Sequence, residues 1–160
     1  MMESGKLLTD NDNTLDLPDV RLDNQLCFAL YAASHCVEQH YQTLLKAQGI
    51  TYSQYLVLMA LAEEDSVSIS NLASRIQVSN ATMTLLLRRL EEKELLHRRF
   101  QDGNERQKVV SLTEAGRSIW TKSCVTSPEV FSRLGLTVDE ADTVIGICKK
   151  IAASKGSTGG

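Results

Sequence analysis

Between Val67 and Lys93 apolar residues recur at helical spacing in two short runs. In the first, Ile69, Leu72, Ala73 and Ile76 share one face behind the polar starters Ser68, Ser70 and Asn71, which predicts a short helix with a single buried side. Gln77-Val78 is a tight connector, and Ser79 is placed to cap a second helix reaching about Lys93. Val78, Ala81, Leu85, Leu86 and Leu90 are the expected anchors of that helix. Ser79, Asn80, Thr82, Thr84, Arg88 and Arg89 supply short hydrogen-bonding groups and positive charge. That mixture suits a major groove, where small polar groups meet base edges and arginines meet bases or phosphates.

The period then changes from helical to extended. Leu95–Phe100 and Gln107–Leu112 read as paired strands joined by Gln101-Asp102-Gly103-Asn104-Glu105-Arg106, where Asp-Gly favours the turn. Helix, turn, helix and basic hairpin together describe a winged helix-turn-helix. Arg106 is expected near the wing tip, within reach of backbone phosphate or the minor groove, with Arg98 and Lys108 on the strands behind it. The competing reading is a small α+β domain whose arginines only solvate it.

Apolar helices flank this reader. Leu22–Lys46 reads as one long helix with Asp19 or Asp23 as cap, and its apolar residues cover more than one face. Thr51 and Gln54 form a capping box for a second helix through about Leu61, and Glu63-Glu64-Asp65 ends it as a solvated acidic turn. Thr113 caps a further helix carrying Trp120, read as a packing anchor. Pro128 interrupts, Glu129–Leu134 forms a short piece closed by Gly135, and Thr137 with Glu140 opens a last helix to about Ala153. Its stripe is Val138, Ala141, Val144, Ile145, Cys148 and Ile151, with Cys148 read as core. The expected fold class is mainly α with a small β wing. The expected organisation is a tail over 1–17, one domain over 18–153 and a loose end over 154–160. Within the domain the winged core covers about 51–112, and dimerisation helices cover about 22–47 and 113–153. The surplus apolar surface of those helices predicts a homodimer, whose two readers would meet two half-sites of pseudo-palindromic duplex DNA.

Composition changes this picture little. The chain has 160 residues, 42% hydrophobic and 23% charged, a balance that supports a domain with its own core. Its formal net charge of -3 disfavours indiscriminate nucleic-acid binding, but Arg88, Arg89, Lys93, Arg98, Arg99, Arg106 and Lys108 all fall in the reader, and local charge outweighs the sum. Met1-Met2-Glu3-Ser4-Gly5 lacks the basic start and apolar run of a signal peptide, and no segment has the length to span a bilayer, so a cytoplasmic protein without a membrane partner is expected. In that compartment the four cysteines are not a disulfide framework. No phosphate loop or catalytic carboxylate pair is present, and His35, Cys36 and His40 do not make a zinc set, so neither enzyme activity, cofactor nor metal is expected.

One cysteine stands apart. Cys27 falls in the first turns of the long helix, where amide hydrogens and the helix dipole favour a thiolate. Tyr31 follows it by one helical turn. Tyr41 follows by fourteen residues, roughly 21 Å along a straight helix at ~1.5 Å per residue, so it reaches a Cys27 only from an antiparallel partner helix. The bland alternative for Cys27 is a small packed side chain.

Over residues 22–153 the chain resembles the MarR family of winged-helix repressors, and within it the OhrR group of organic hydroperoxide sensors. The residues that carry this are Leu22-Asp23-Asn24-Gln25-Leu26-Cys27-Phe28-Ala29-Leu30-Tyr31, Leu45–Tyr55, and Glu105-Arg106-Gln107 running on to Leu112-Thr113-Glu114-Ala115-Gly116. The resemblance implies a repressor that binds operator DNA when reduced and leaves it when Cys27 is oxidised by an organic hydroperoxide. It implies that Tyr41 and Tyr52 hydrogen-bond that sulfur from the other subunit and that Arg106 is the wing arginine. Asn104 stands where family members carry aspartate, and Ser132 where some carry a second cysteine; Cys124 is the nearest substitute as resolving thiol, the alternative being a mixed disulfide with a small cellular thiol. The alternative function is a regulator of the same fold released by a non-covalent aromatic or phenolic ligand, for which Tyr31, Tyr41, Tyr52 and Tyr55 are the candidate lining.

Overall fold

The computed structural model describes residues 21–154. The expected tail, the Asp19 cap and residues 155–160 lie outside the described residues. The chain divides into two compact units, one up to Cys36 and one from Val37 onward.

In the first unit a 3₁₀ turn, Leu22–Asn24, precedes α1 (Leu26–Leu45), which continues unbroken into the second unit. Asp23 lies inside the 3₁₀ turn and does not cap α1. The ladder of α1 opens with the Ala29 N–H donating to the Gln25 carbonyl at 3.0 Å. Cys27 is therefore the second helical residue, within the turn whose amides precede the ladder. Phe28 and Tyr31 stack at 6.5 Å between ring centroids, and Tyr31 stacks on His35 at 6.1 Å.

In the second unit α1 ends at the buried Leu45, and a 3₁₀ turn closes at Gly49, whose φ of 69° is the left-handed conformation glycine adopts freely. α2 (Tyr52–Glu63) starts at the expected capping box: Thr51 accepts from the Gln54 amide, and the Gln54 side chain accepts from the Thr51 amide. The turn after α2 is more than a solvated acidic loop. Arg75 pairs with Glu63 and Glu64, and Arg117 reaches Asp65 at 3.4 Å. β1 (Val67–Ser68) leads into α3 (Ile69–Arg75), capped by Ser68, and α4 (Asn80–Glu92), capped by Ser79. The wing is β2 (Leu96–Gln101) and β3 (Asn104–Leu112) around a two-residue Asp102-Gly103 turn. The strands run farther towards the tip than the alternation indicates, so Arg106 lies within β3 and not in the loop. β3 is central in a three-stranded antiparallel sheet of order β1-β3-β2, with Val67 opposite Val110 and Leu96 opposite Leu112.

α5 (Glu114–Ser123) is capped by Thr113. α6 (Thr126–Leu134) begins before Pro128, which sits in its first turn where a missing amide hydrogen costs nothing. α7 (Val138–Ala153) follows a second complete capping box at Thr137 and Glu140. The core gathers Leu45, Tyr55, Leu58, Leu61, Leu72, Met83, Leu87, Leu90, Leu96 and Val110. α7 contributes no buried residue; Val138, Val144, Ile145, Ile147 and Ile151 are exposed in the single chain, and so is Cys148, which is not core.

Two of the contacts that hold the helix pair and wing to their surroundings are especially close. Gly116 in α5 lies so close to the turn after α4 that a Cβ there would sit 1.9 Å from the Leu95 carbonyl oxygen. Arg98 of β2 grips Glu91 of α4 through Nε at 3.0 Å and a terminal nitrogen at 2.6 Å, and these bonds hold the Glu91 carboxyl below its usual range. Gly116→Ala is expected to lower stability by about 1–3 kcal/mol or more, because the obstructing atom is backbone; equilibrium urea unfolding measures it, and an unchanged midpoint would contradict the packing. Glu91→Gln is expected to cost under about 1 kcal/mol at neutral pH, the pair being partly exposed. A carboxylate with a depressed folded pKa stabilises above its unfolded pKa, and that contribution is lost as pH falls through the folded value. The two proteins should therefore differ at neutral pH and converge as pH falls through the depressed folded value, read as melting temperatures across pH.

Candidate nucleic-acid interface and thiol site

The outward surface of α4 follows from what its other face buries. Met83, Leu86, Leu87 and Leu90, spaced i, i+3, i+4 and i+7, pack into the core. Two of the expected anchors, Ala81 and Leu85, are exposed, Leu85 by 40%, and Val78 is only half-buried. Met83 and Leu87 take their place. Beside Asn80, Thr84, Arg88 and Arg89, the exposed side of α4 therefore also presents Ala81 and Leu85.

The predicted polar residues differ in how free they are. Ser79 Oγ accepts from the Thr82 amide at 3.1 Å and shares a 2.9 Å hydrogen bond with Thr82 Oγ1. Thr84 Oγ1 donates to the Asn80 carbonyl at 2.9 Å. Arg88 is held only by a 3.8 Å ion pair with Glu92. Arg98 is committed to Glu91 and joins wing to helix. Arg106 is exposed on β3, and its amide donates to Asn104 Oδ1 at 3.0 Å, so asparagine fills the turn-side acceptor role there. Lys108 Nζ sits 5.3 Å above the Phe100 ring, a cation–π contact that orients the ammonium. Phe100, Arg106, Gln107 and Lys108 from the wing, Ser68 from β1, and Ile69, Ser70 and Asn80 from α3 and α4 line one open groove of about 500 Å³. Phe100, 54% exposed, was not singled out from the sequence; an aromatic at the wing's outward edge is its only signal.

The residues proposed around the thiol fall in both units. Cys27 and Tyr31, the latter 67% exposed, belong to the first. In the second, Tyr41 and Tyr52 come together at 5.1 Å between centroids, Tyr41 lies 5.3 Å from Tyr55, and Tyr55 lies 5.6 Å from Trp120. Ser127 is their hub: its Oγ accepts from Tyr41 Oη at 3.0 Å and shares a 2.8 Å bond with Tyr55 Oη. Burial, and then the neighbouring Tyr41, raise the Tyr52 phenol. Burial also raises Tyr55, against a lowering hydrogen bond from Ser127. Both stay protonated at neutral pH and able to donate. No local pattern marks Ser127, because its partner Tyr41 is 86 residues away. Cys124 is the C-cap of α5 and exposed. Tyr41, Ser127, Val37, Pro128, Val130, Phe131 and Leu134 border a cleft of about 380 Å³.

The family model for MarR matches residues 50–108. The chain is 38% identical over 141 residues to the HTH-type transcriptional regulator TtmR of Methylorubrum extorquens (strain PA1), covering 86% of this chain and 72% of that protein. It is 33% identical over 138 residues to the HTH-type transcriptional regulator SarZ of Staphylococcus haemolyticus (strain JCSC1435), covering 86% and 94%. Its fold matches that of MepR in an S. aureus MepR–DNA complex with a TM-score of 0.73 at 24% identity, over 81% of this chain and 98% of that one. The reader helix, the wing and the similarity across both flanks agree, and the chain belongs to the MarR family.

Proposed function

We propose that this chain is a homodimeric transcriptional repressor that binds pseudo-palindromic duplex DNA and leaves it when Cys27 is oxidised by an organic hydroperoxide. The observation that carries the DNA half is that Asn80, at the start of α4, lines the same groove as Arg106 and Lys108, while Arg88 and Arg89 stand exposed farther along the helix. Arg88, Arg89, Arg106 and Lys108 attract phosphate, and Asn80 with the rest of the exposed α4 surface meets base edges. Ser79, Thr82 and Thr84 belong to that interface, with Arg98 acting behind it through Glu91. The related proteins TtmR and SarZ are named as HTH-type transcriptional regulators, and MepR was solved with DNA, which supports the same assignment. The exposed apolar stripe of α7 supports the second copy.

The redox half rests on Cys27 standing exposed in the first turn of α1. Its thiolate attacks the terminal oxygen of the hydroperoxide; the O–O bond breaks, an alcohol leaves after taking up a proton, and sulfur becomes a sulfenic acid. Condensation with a second thiol, from Cys124 or a small cellular thiol, forms a disulfide and releases water. Fourteen residues of continuous helix separate Cys27 from Tyr41, so Tyr41 and Tyr52 would support the thiol of the other copy, and Tyr31 that of its own. Oxidation at that junction then lowers the population of the DNA-competent dimer. A second reading, release by an aromatic or phenolic ligand, is favoured by the cleft beside Tyr41 and Ser127.

Arg106→Ala is expected to weaken binding about tenfold on cognate and scrambled duplexes alike, the loss of one charge-assisted contact. It should also flatten the slope of log K against log salt by about 0.9, one phosphate's worth. Loss confined to the cognate duplex would instead make Arg106 a base reader. Cys27→Ser is expected to bind DNA normally and to stay bound on addition of cumene hydroperoxide, followed by fluorescence anisotropy. Mass spectrometry of the oxidised parent protein with a small thiol separates an adduct from a Cys27–Cys124 bridge. Peroxide-triggered release by Cys27→Ser would end the redox reading, and release of that variant by a phenolic acid would establish the second.

A further inference from the structure

We propose that the exposed face of α4 reads thymine through its 5-methyl group, with Leu85 as the principal contact and Ala81 beside it; this rests on the DNA-binding reading above and names how that surface selects sequence. Burial of Met83, Leu86, Leu87 and Leu90 turns Ala81, Leu85 and Arg88 to the opposite side, at i, i+4 and i+7. Leu85 is 40% exposed on a helix whose core positions are already filled. The hydroxyls around it do not compete well for base edges. Thr84 donates its hydrogen to the Asn80 carbonyl, and Ser79 and Thr82 are bonded to each other and to the helix start. What α4 presents at its centre is therefore apolar, flanked by Asn80 and by the cations Arg88 and Arg89.

In the major groove the thymine methyl is the one apolar feature on a base edge. Opposite Leu85 it exchanges water-exposed carbon for carbon contact on both sides. An amino or carbonyl edge there would lose its water without gaining a partner. The arginines hold the helix in the groove, and the methyl contact sets which base lies under it.

The test uses the full-length protein and a duplex selected by it from a randomised pool. Each thymidine of that duplex is replaced singly by deoxyuridine, which removes the methyl and leaves every donor and acceptor in place. The expected result is one or two positions in each half-site where affinity falls about fourfold, the effect of exposing one methyl-sized group. At those positions Leu85→Ala should bind the thymidine and deoxyuridine duplexes within a factor of about two of each other. A selected duplex indifferent to deoxyuridine at every position overturns the inference, whatever the variant does. So does a Leu85→Ala protein, folded by circular dichroism, that keeps the parent's discrimination. Failure to select any duplex overturns the DNA-binding reading itself and is a separate result.

Discussion

The reader helix, the wing and the C-terminal helices are tied together by the backbone around Leu95. The Leu95 amide donates to the Leu90 carbonyl at 3.0 Å, closing α4, and Glu94 takes φ 58° to make that closure. The Leu95 carbonyl accepts the Thr113 amide at 3.1 Å, joining the foot of the wing to the start of α5. Thr113 Oγ1 donates to the Glu94 carbonyl at 2.7 Å, and Gly116 leaves room for that approach. Four elements thus end or begin within a few residues of one carbonyl. The close approach at Gly116 leaves no room for a side chain between α5 and the end of α4. The helix pair, the wing and α5 are thereby joined through one short stretch of backbone.

A second constraint acts sideways. Arg98 binds Glu91 on α4, and the Asn104 side chain accepts from the Arg106 amide near the tip. The wing is therefore fixed to α4 at its base and shaped locally at its end. Phe100 under Lys108 places one more cation on the groove side. In a chain of formal net charge -3, Arg106 and Lys108 stand exposed on the wing, while Arg75 pairs with Glu63 and Glu64 and Arg117 with Asp65.

Much of this architecture was legible in the residues. Both capping boxes, the Ser68, Ser79 and Thr113 caps, the Asp102-Gly103 turn and the Gly135 stop are local chemistry, written within four residues of where they act. What escaped was non-local. β1 is two residues long and exists because Val67 and Ser68 pair with Val110 and Val109, leaving no period to detect. The phase of α4 differs from the expected one, which omits Met83 and Leu87. Val78, Ala81, Leu85, Leu86 and Leu90 span more of the helix circumference than one buried face holds, and the tighter set with Met83 and Leu87 wins because it matches 3.6 residues per turn. Arg98 is expected among the DNA-contacting cations, but its carboxylate partner, seven residues back on another element, commits it to Glu91. Ser127 had no sequence signature at all, since its role comes from tyrosines on α1 and α2.

The same logic bears on α7. Sixteen residues with a complete capping box form a well-started helix, yet none of its side chains is buried in the single chain. A helix of that length without a packed face is marginal in water, because nucleation and side-chain ordering are barely offset by its own hydrogen bonds. Val144, Ile145, Ile147 and Ile151 crowd aliphatic surface that a solvated helix has no reason to carry. A second copy offers the same stripe in return, and a twofold relation makes the stripe self-complementary. In the proposed dimer, then, α7 is a condition for the reader's geometry: the spacing of two α4 helices on successive major grooves is set by elements that never touch DNA.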